Sequence, residues 1–143
     1  YMMANSEMAT AAMMGVSFTV IVTDNRGFGC INRLQMGTGG AEFNNLLKDA
    51  LHETPSAIDF AAHAASMGAT SVKVSSISEL EEALAKRGDI TGPYVIVIDT
   101  DPYPSTPHGG SWWEVGVPEV SVRTEVNDAW ENYRQGKANQ KTV

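Results

Sequence analysis

Hydrophobic and polar positions along this chain follow two patterns, one typical of buried strands and one typical of helices. Residues 17–23 and 93–100 are nearly continuous apolar runs rich in β-branched side chains. Such runs are typical of strands buried on both faces of a parallel sheet. Residues 71–74, Ser-Val-Lys-Val, predict a short third strand between them in sequence.

Apolar residues at helical spacing predict helices around these strands. Ser56, with Asp59 three residues later, predicts the N-cap of one helix, and Ser76 or Ser78 predicts the N-cap of the next. The predicted helices span about 2–14, 56–67, 77–88 and 121–136. The apolar face of the third is predicted to consist of Ile77, Leu80 and Leu84.

Three segments carry no clear periodicity. Frequent glycine makes 26–40 a loop or an interrupted helix, and 42–51 is expected to hold one or two helical turns. Residues 101–120 contain four prolines, which predicts a long loop ahead of the C-terminal helix. Long loops in compact domains are usually binding loops or lids.

The alternation of helices and strands predicts an α/β fold, a parallel sheet with flanking helices. We treat 1–143 as one partial domain, because a helical pattern begins at the first residues with no strand ahead of it. The first strand of the fold is therefore expected to be missing, and the chain to be a fragment.

Composition narrows the function classes. The formal net charge of −7 disfavours nucleic acid and anionic membranes as partners. A single cysteine, Cys30, excludes an internal disulfide, and no apolar run approaches the roughly 20 residues that span a bilayer. We expect a cytoplasmic protein with a small-molecule partner.

The strongest candidate chemistry lies where the first predicted strand ends. Asp24 and Asn25 follow its apolar run, and Gly27 comes two residues later. Ligands of open α/β sheets bind beyond the carboxyl ends of the strands, and oxygen ligands suit Mg²⁺ with its phosphate. The alternative is an Asx-turn, in which Asn25 and Gly27 serve only the backbone conformation.

Other candidate residues are weaker. His52 and His63 lack a second ligand at metal-like spacing and are expected to be surface or packed residues. His108 and Trp112 lie in the proline-containing loop and either contact substrate or pack that loop. Cys30 has no activating base nearby in sequence, which favours a packing thiol over a nucleophile.

Together these features resemble the cofactor-diphosphate domain of thiamine-diphosphate-dependent enzymes. Residues 1–15 are similar to the helix after that family's Gly-Asp-Gly signature, and 18–29 to its apolar strand with the following Asn and Gly. The resemblance implies that thiamine diphosphate and Mg²⁺ are the cofactors. It implies that the Asn25 side chain and the Gly27 carbonyl bind Mg²⁺, with Phe28 and Cys30 near the thiazolium and substrate.

A narrower resemblance lies in segments 24–35 and 106–120. They are similar to a branch of the family that hydrolyses a carbon–carbon bond in a cyclic polyol 1,2-dione during inositol degradation. The rival enzymes are an acetohydroxyacid-synthase-like carboligase and a 2-oxoacid decarboxylase. The non-enzyme rival is a phosphate-binding or oligomerisation module.

The same resemblance implies that catalytic groups lie outside this chain. The signature aspartate is expected just upstream of Tyr1. The activating glutamate is expected in an N-terminal domain of the same protein, contributed by a second subunit of a homo-oligomer. We therefore expect this chain to be inactive alone.

Overall fold

The structure, a computed structural model, describes residues 1–104 and 114–140. The chain divides into two compact units, one of residues 1–25 and 54–100, the other of residues 26–53 and 101–143. The first unit contains α1 (Ser6–Met13), β1 (Phe18–Asp24), α3 (Phe60–Ser66), β2 (Thr70–Val74), α4 (Ile77–Ala85) and β3 (Pro93–Asp99). The second contains α2 (Gly29–Gly37) and α5 (Thr124–Ala138).

The first unit is built on a three-stranded parallel sheet of order β1-β3-β2. β1 runs alongside β3 in register, from Phe18 opposite Pro93 to Asp24 opposite Asp99. Both strands therefore end together at the carboxyl edge of the sheet. The predicted α/β class with a parallel sheet and flanking helices is confirmed.

The central strand β3 is buried on both faces, as its apolar run predicts. Val95 and Val97 face a core cluster with Met8 of α1 and Ala64 of α3. Ile96 and its neighbours on the opposite face belong to a second cluster. That second cluster consists of Val74, Ala83, Tyr94, Ile96 and Ile98.

β1 differs from its expected burial on both faces. Val22 and Asp24 are buried, whereas Ile21 keeps 44% of its surface exposed. β1 is an edge strand of the sheet, and α4 packs over β2 and β3 on the face that Ile21 shares with Ile96. An apolar run thus specifies the strand without specifying how many faces are covered.

The start of α3 corrects the predicted helix cap. Asp59, not Ser56, is the N-cap, and its carboxylate accepts a hydrogen bond from the Ala62 N–H at 2.9 Å. Residues 55–59 are not helical. Asp59, which the capping-box pattern places in the first helical turn, therefore caps a helix that is shorter than predicted. Gly68 follows the helix with a φ of +90°.

α4 begins as predicted at Ser76, whose hydroxyl accepts from the Glu79 N–H at 3.2 Å. Its predicted apolar face is wrong in part. Ile77 is 66% exposed and Leu84 is 40% exposed, while Ala83 is buried against β3. Leu80 packs against the same cluster, as predicted, whereas Ile77 and Leu84 lie largely outside the contact.

In the second unit, segment 26–40 contains more helix than predicted and segment 42–51 contains less. The glycine-rich segment 26–40 forms the helix α2, with glycine at both of its ends. Segment 42–51 contains only a single 3-10 turn at Leu47–Asp49. α5 starts at Thr124, later than predicted. Val122 lies ahead of the helix and is fully exposed, and Val126 is the buried residue of its first turn.

The predicted loop at 101–120 contains neither helix nor strand in its described parts, 101–104 and 114–120. Within the described ranges, no helix combines the length and apolar character needed to cross a lipid bilayer.

Candidate functional site

The carboxyl edge of the sheet gathers polar residues in the first unit. Asp24 ends β1 and is buried, and its carbonyl oxygen accepts from the Thr100 N–H at 2.9 Å. Asp99 ends β3 and forms an ion pair with Lys73 of β2 at 2.9 Å. Asn25 follows Asp24 directly and is half-buried. The structure therefore has Asn25 immediately beyond the carboxyl end of β1, as predicted.

Gly27 lies in the second unit and pairs with Leu46 as an antiparallel bridge. The Phe28 N–H donates to the Asn45 carbonyl at 2.7 Å, and the Leu47 N–H donates to the Arg26 carbonyl at 2.9 Å. These two bonds flank Gly27, which makes Gly27 and Leu46 a non-hydrogen-bonded pair. In such a pair the residue's own N–H and C=O point away from the opposite segment. The Gly27 carbonyl is therefore directed away from residues 45–47.

No side chain fits at Gly27. A Cβ there would stand 2.5 Å from the Asn45 carbonyl oxygen and 2.7 Å from the Leu46 Cα. Both are backbone atoms, so relief would require the paired segments to separate. The requirement for glycine therefore comes from close backbone approach, not only from turn conformation.

The turn that precedes this bridge is conformationally unusual. Arg26 has a φ of +56°, one of two described non-glycine residues with positive φ. Non-glycine residues in this region cost energy and persist where the surroundings hold them. Here the Arg26 carbonyl is held by the Leu47 N–H at 2.9 Å. The backbone around Gly27 is thus fixed on both sides.

Phe28 and Cys30 begin α2 on an exposed surface. Phe28 is the N-cap residue, and 67% of its surface is exposed. Cys30 is a free, exposed thiol in the first helical turn. The expectation that Cys30 is a packing thiol is therefore wrong, because its thiol is exposed. Both side chains are accessible to a ligand at the N-terminal end of α2.

A polar network next to α2, formed by Asn32, Glu42, Lys48 and Asp49, could not be predicted from the sequence. Asn32 is fully buried, and its amide donates to the Glu42 carboxylate at 3.0 Å. Hydrogen bonds from Asn32 and then Tyr103 hold the pKa of Glu42 below its usual value. Lys48 pairs with Asp49 at 2.6 Å and with Glu42 at 3.4 Å, and the Asp49 bond is the main cause of its raised pKa.

This network connects α2 to the segment that follows β3. The Arg33 guanidinium donates to the Pro102 carbonyl at 2.9 Å, and Lys48 lies 5.7 Å from the Tyr103 ring centroid. In the sequence, its members between 32 and 49 are polar residues scattered among apolar residues and glycines. Such polar residues are equally common in solvated loops, so the pattern alone does not identify a network.

The predicted histidine positions separate into three cases. His63 lies on α3, and the Tyr1 hydroxyl is 2.9 Å from its Nδ1, so it is a packed residue as expected. His52 is exposed and lies outside any helix. His108 and Trp112 lie outside the described residues. Across residues 1–104 and 114–140, no three His, Cys, Asp or Glu side chains form a metal-binding cluster.

A parallel sheet with polar residues beyond the carboxyl ends of its strands is typical of α/β domains that bind cofactors. The family model of the thiamine pyrophosphate enzyme C-terminal TPP binding domain matches residues 1–98. The chain therefore belongs to this family. The match covers β1, β2, the Asn25–Gly27 motif and all of β3 except its last residue, Asp99, in agreement with the resemblance in the sequence.

The chain is similar to curated proteins named 3D-(3,5/4)-trihydroxycyclohexane-1,2-dione hydrolase. One from Bacillus thuringiensis (strain Al Hakam) and one from Bacillus cereus (strain 03BB102) are each 40% identical to it over 142 residues. A relative from Bacillus anthracis is 39% identical over the same length. Each alignment covers 92% of this chain and 21% of the relative. The chain thus spans about a fifth of the length of the curated relatives it matches.

Proposed function

We propose that the protein containing this chain is a thiamine-diphosphate- and Mg²⁺-dependent hydrolase. Its proposed reaction opens the ring of 3D-(3,5/4)-trihydroxycyclohexane-1,2-dione to give 5-deoxyglucuronate. The substrate is the one that the relatives' names state, and their identity to this chain of about 40% supports its transfer. The chain's own contribution is the part that holds the cofactor diphosphate.

The structural observation that carries the proposed cofactor site is the backbone geometry at Gly27. Its carbonyl is directed away from residues 45–47, and the turn is fixed by hydrogen bonds on both sides. We propose that this carbonyl and the Asn25 side-chain oxygen are two ligands of Mg²⁺. Mg²⁺ takes few ligands from protein and fills the remainder with water and substrate phosphates, so one side chain and one peptide oxygen suit it.

Phe28 and Cys30 are proposed to lie beside the bound cofactor and substrate. Bound thiamine diphosphate supplies the carbanion chemistry at the substrate carbonyl. The exposed Phe28 ring would exclude water from the reacting end and limit how the substrate is oriented. We propose that His108 and Trp112 contact substrate, and that the activating glutamate comes from another domain, contributed by a second subunit.

The metal proposal is tested in the intact protein with Asn25→Ala. We expect the Kd for thiamine diphosphate with Mg²⁺ to rise at least about tenfold, equivalent to about 1.4 kcal/mol. Isothermal titration calorimetry measures it, with and without EDTA. Asn25→Asp keeps an oxygen ligand and should retain most of the affinity. Asn139→Ala, at an exposed position, is the matched control. An unchanged Kd in Asn25→Ala would contradict the proposed ligand.

The reaction is tested separately by product analysis. The intact protein is incubated with the cyclic dione and, in parallel, with pyruvate, and products are identified by mass spectrometry. Formation of the ring-opened acid from the dione is expected. Acetolactate or acetaldehyde from pyruvate, with no turnover of the dione, would identify the rival carboligase or decarboxylase instead.

A further inference from the structure

A cleft of about 610 Å³ lies between α2 and α5 within the second unit. From α5 it is lined by residues spaced three and four positions apart, which form one helical face. The polar members of that face are Glu125, Asp128, Asn132 and Tyr133, whose hydroxyl donates to Glu114 at 2.6 Å. Arg33 of α2 lines the same cleft. Its volume is within the range of small-molecule sites, about 300–1,000 Å³.

Of the six polar side chains that line the cleft, four have partners among the described residues and two, both exposed, do not. Among the described residues, the side chains of Asp128 and Asn132 make no hydrogen bond or ion pair. Glu125 has a loose ion pair with Arg123 at 3.5 Å. The Arg33 guanidinium is anchored by its bond to the Pro102 carbonyl at 2.9 Å, which fixes its position at the cleft wall.

The arrangement of charge favours a neutral ligand. The carboxylates of Glu125 and Asp128 would repel an anion such as phosphate, whereas the Arg33 guanidinium would repel a metal ion. A hydroxyl group both donates and accepts, so hydroxyls can satisfy carboxylate, amide and guanidinium together. The apolar side chains of Leu34 and Met36, with Ala129, offer surface for ring carbons.

We propose that this cleft binds a cyclic polyol, a ring carrying several adjacent hydroxyl groups. The inference rests on the proposed function, because the substrate named there is a hydroxylated ring. It goes further by assigning Asp128 and Asn132 on α5 to recognition of the ring hydroxyls. Residues beyond the family match at 1–98 thereby gain a role in selecting the ligand.

The first test titrates myo-inositol, an unreactive cyclic polyol, into the intact protein by calorimetry. Asp128→Ala and Asn132→Ala are each expected to weaken binding at least about tenfold. The controls Asn127→Ala and Glu131→Ala alter exposed residues of α5 that do not line the cleft, and binding should be unchanged. Unweakened binding in both cleft variants would overturn the proposal.

A second variant fills the cleft without changing its polar groups. A Cβ at Gly37 would meet nothing within 4 Å, and Gly37 lines the cleft. Gly37→Phe is therefore expected to abolish polyol binding while the melting temperature is retained. Undiminished myo-inositol binding in Gly37→Phe would also overturn the proposal.

Parallel titrations separate this proposal from the proposed function. The cleft variants should keep the wild-type Kd for thiamine diphosphate, and Asn25→Ala should keep the wild-type Kd for myo-inositol. Glucose is titrated as a second cyclic polyol, and weaker binding of glucose would support a cyclitol over a sugar. Binding of Mg²⁺ or inorganic phosphate that is lost in the cleft variants, with no polyol binding, would contradict the proposal.

Discussion

Two glycines of the second unit lie where another segment's backbone leaves no room for a side-chain carbon. At Gly27 the obstruction is residues 45 and 46, and at Gly39 it is residues 125 and 126. The sequence shows that these residues are glycine but not why, since each opposing segment is distant along the chain. The position of Asn25 beyond β1 could be predicted, because it follows an apolar run directly. The pairing with residues 45–47 that fixes the backbone at Gly27 could not.

Gly27→Ala is expected to weaken cofactor binding in the intact protein about tenfold, or about 1.4 kcal/mol. Its Cβ would stand 2.5 Å from the Asn45 carbonyl oxygen, so the bridge to Leu46 would separate and the Gly27 carbonyl would turn. Calorimetric titration with thiamine diphosphate and Mg²⁺ measures the change. Gly88→Ala, where a Cβ meets nothing within 4 Å, is the control. Equal affinity in both variants would be evidence against the role of the Gly27 carbonyl.

At the scale of elements, the strands could be predicted and several helix ends could not. β1 and β3 have long β-branched runs, and both form within a residue of the predicted bounds. The start of α3 was misplaced because Ser56 and Asp59 are both good N-caps, and the local pattern does not rank them. The predicted apolar face of α4 is right at Leu80 but not at Ile77 and Leu84, because the buried contact with the sheet is made by Ala83.

The corrected cap of α3 gives a direct comparison of two substitutions. Asp59→Ala removes the acceptor of the Ala62 N–H and is expected to cost about 1 kcal/mol of unfolding free energy. Ser56→Ala lies ahead of the helix and should change it by no more than about 0.5 kcal/mol. Urea denaturation of the intact protein measures both. A larger loss in Ser56→Ala than in Asp59→Ala would show that Ser56, not Asp59, caps the helix.

The connection between α2 and α5 depends on Gly39. It has a φ of +81°, and a Cβ there would overlap the Glu125 carbonyl and stand 2.5 Å from the Val126 nitrogen. Gly39→Ala is therefore expected to cost about 1–3 kcal/mol and to release the start of α5. Faster hydrogen–deuterium exchange of the backbone amides of 124–128 would show that the start of α5 has been released. Gly37→Ala, in open space in the same segment, should leave exchange unchanged.

On the scale of the whole molecule, the α/β class and the family could be predicted, whereas the division into two units could not. The unit boundary falls between Asn25 and Arg26, inside the motif that the sequence identifies as a single feature. Apolar periodicity reports the core of the first unit. The second unit is held largely by polar contacts and backbone pairing between distant segments, such as Asn32 with Glu42 and Arg123 with Gly39, which leave no periodic signal.

Acid is expected to remove one such polar contact. Hydrogen bonds from Lys137 and then Tyr133 hold the pKa of Glu114 below its usual 4.5. Because the folded-state pKa is lowered, this stabilisation is present above pH 4.5 and is lost as the pH falls through the lowered value. Glu114→Gln should therefore speed hydrogen–deuterium exchange of α5 at pH 7, and this effect should become smaller as the pH falls below 4.5 to pH 3.

Each comparison with wild type is made at one pH, so the intrinsic exchange rates cancel. Glu119→Gln alters an exposed carboxylate nearby and should match wild type at both pH values. An effect of Glu114→Gln that persists undiminished at pH 3 would show that the charge of Glu114 is not responsible.

The strand order has a consequence for biosynthesis. β1 and β2 each pair with β3, which comes last of the three in the chain. On the ribosome, β1 and β2 cannot form their hydrogen bonds with β3 until residues 93–99 have emerged from the exit tunnel. Unpaired strand edges on a nascent chain are prone to aggregation, so the edges of β1 and β2 that face β3 carry this risk until β3 has been made.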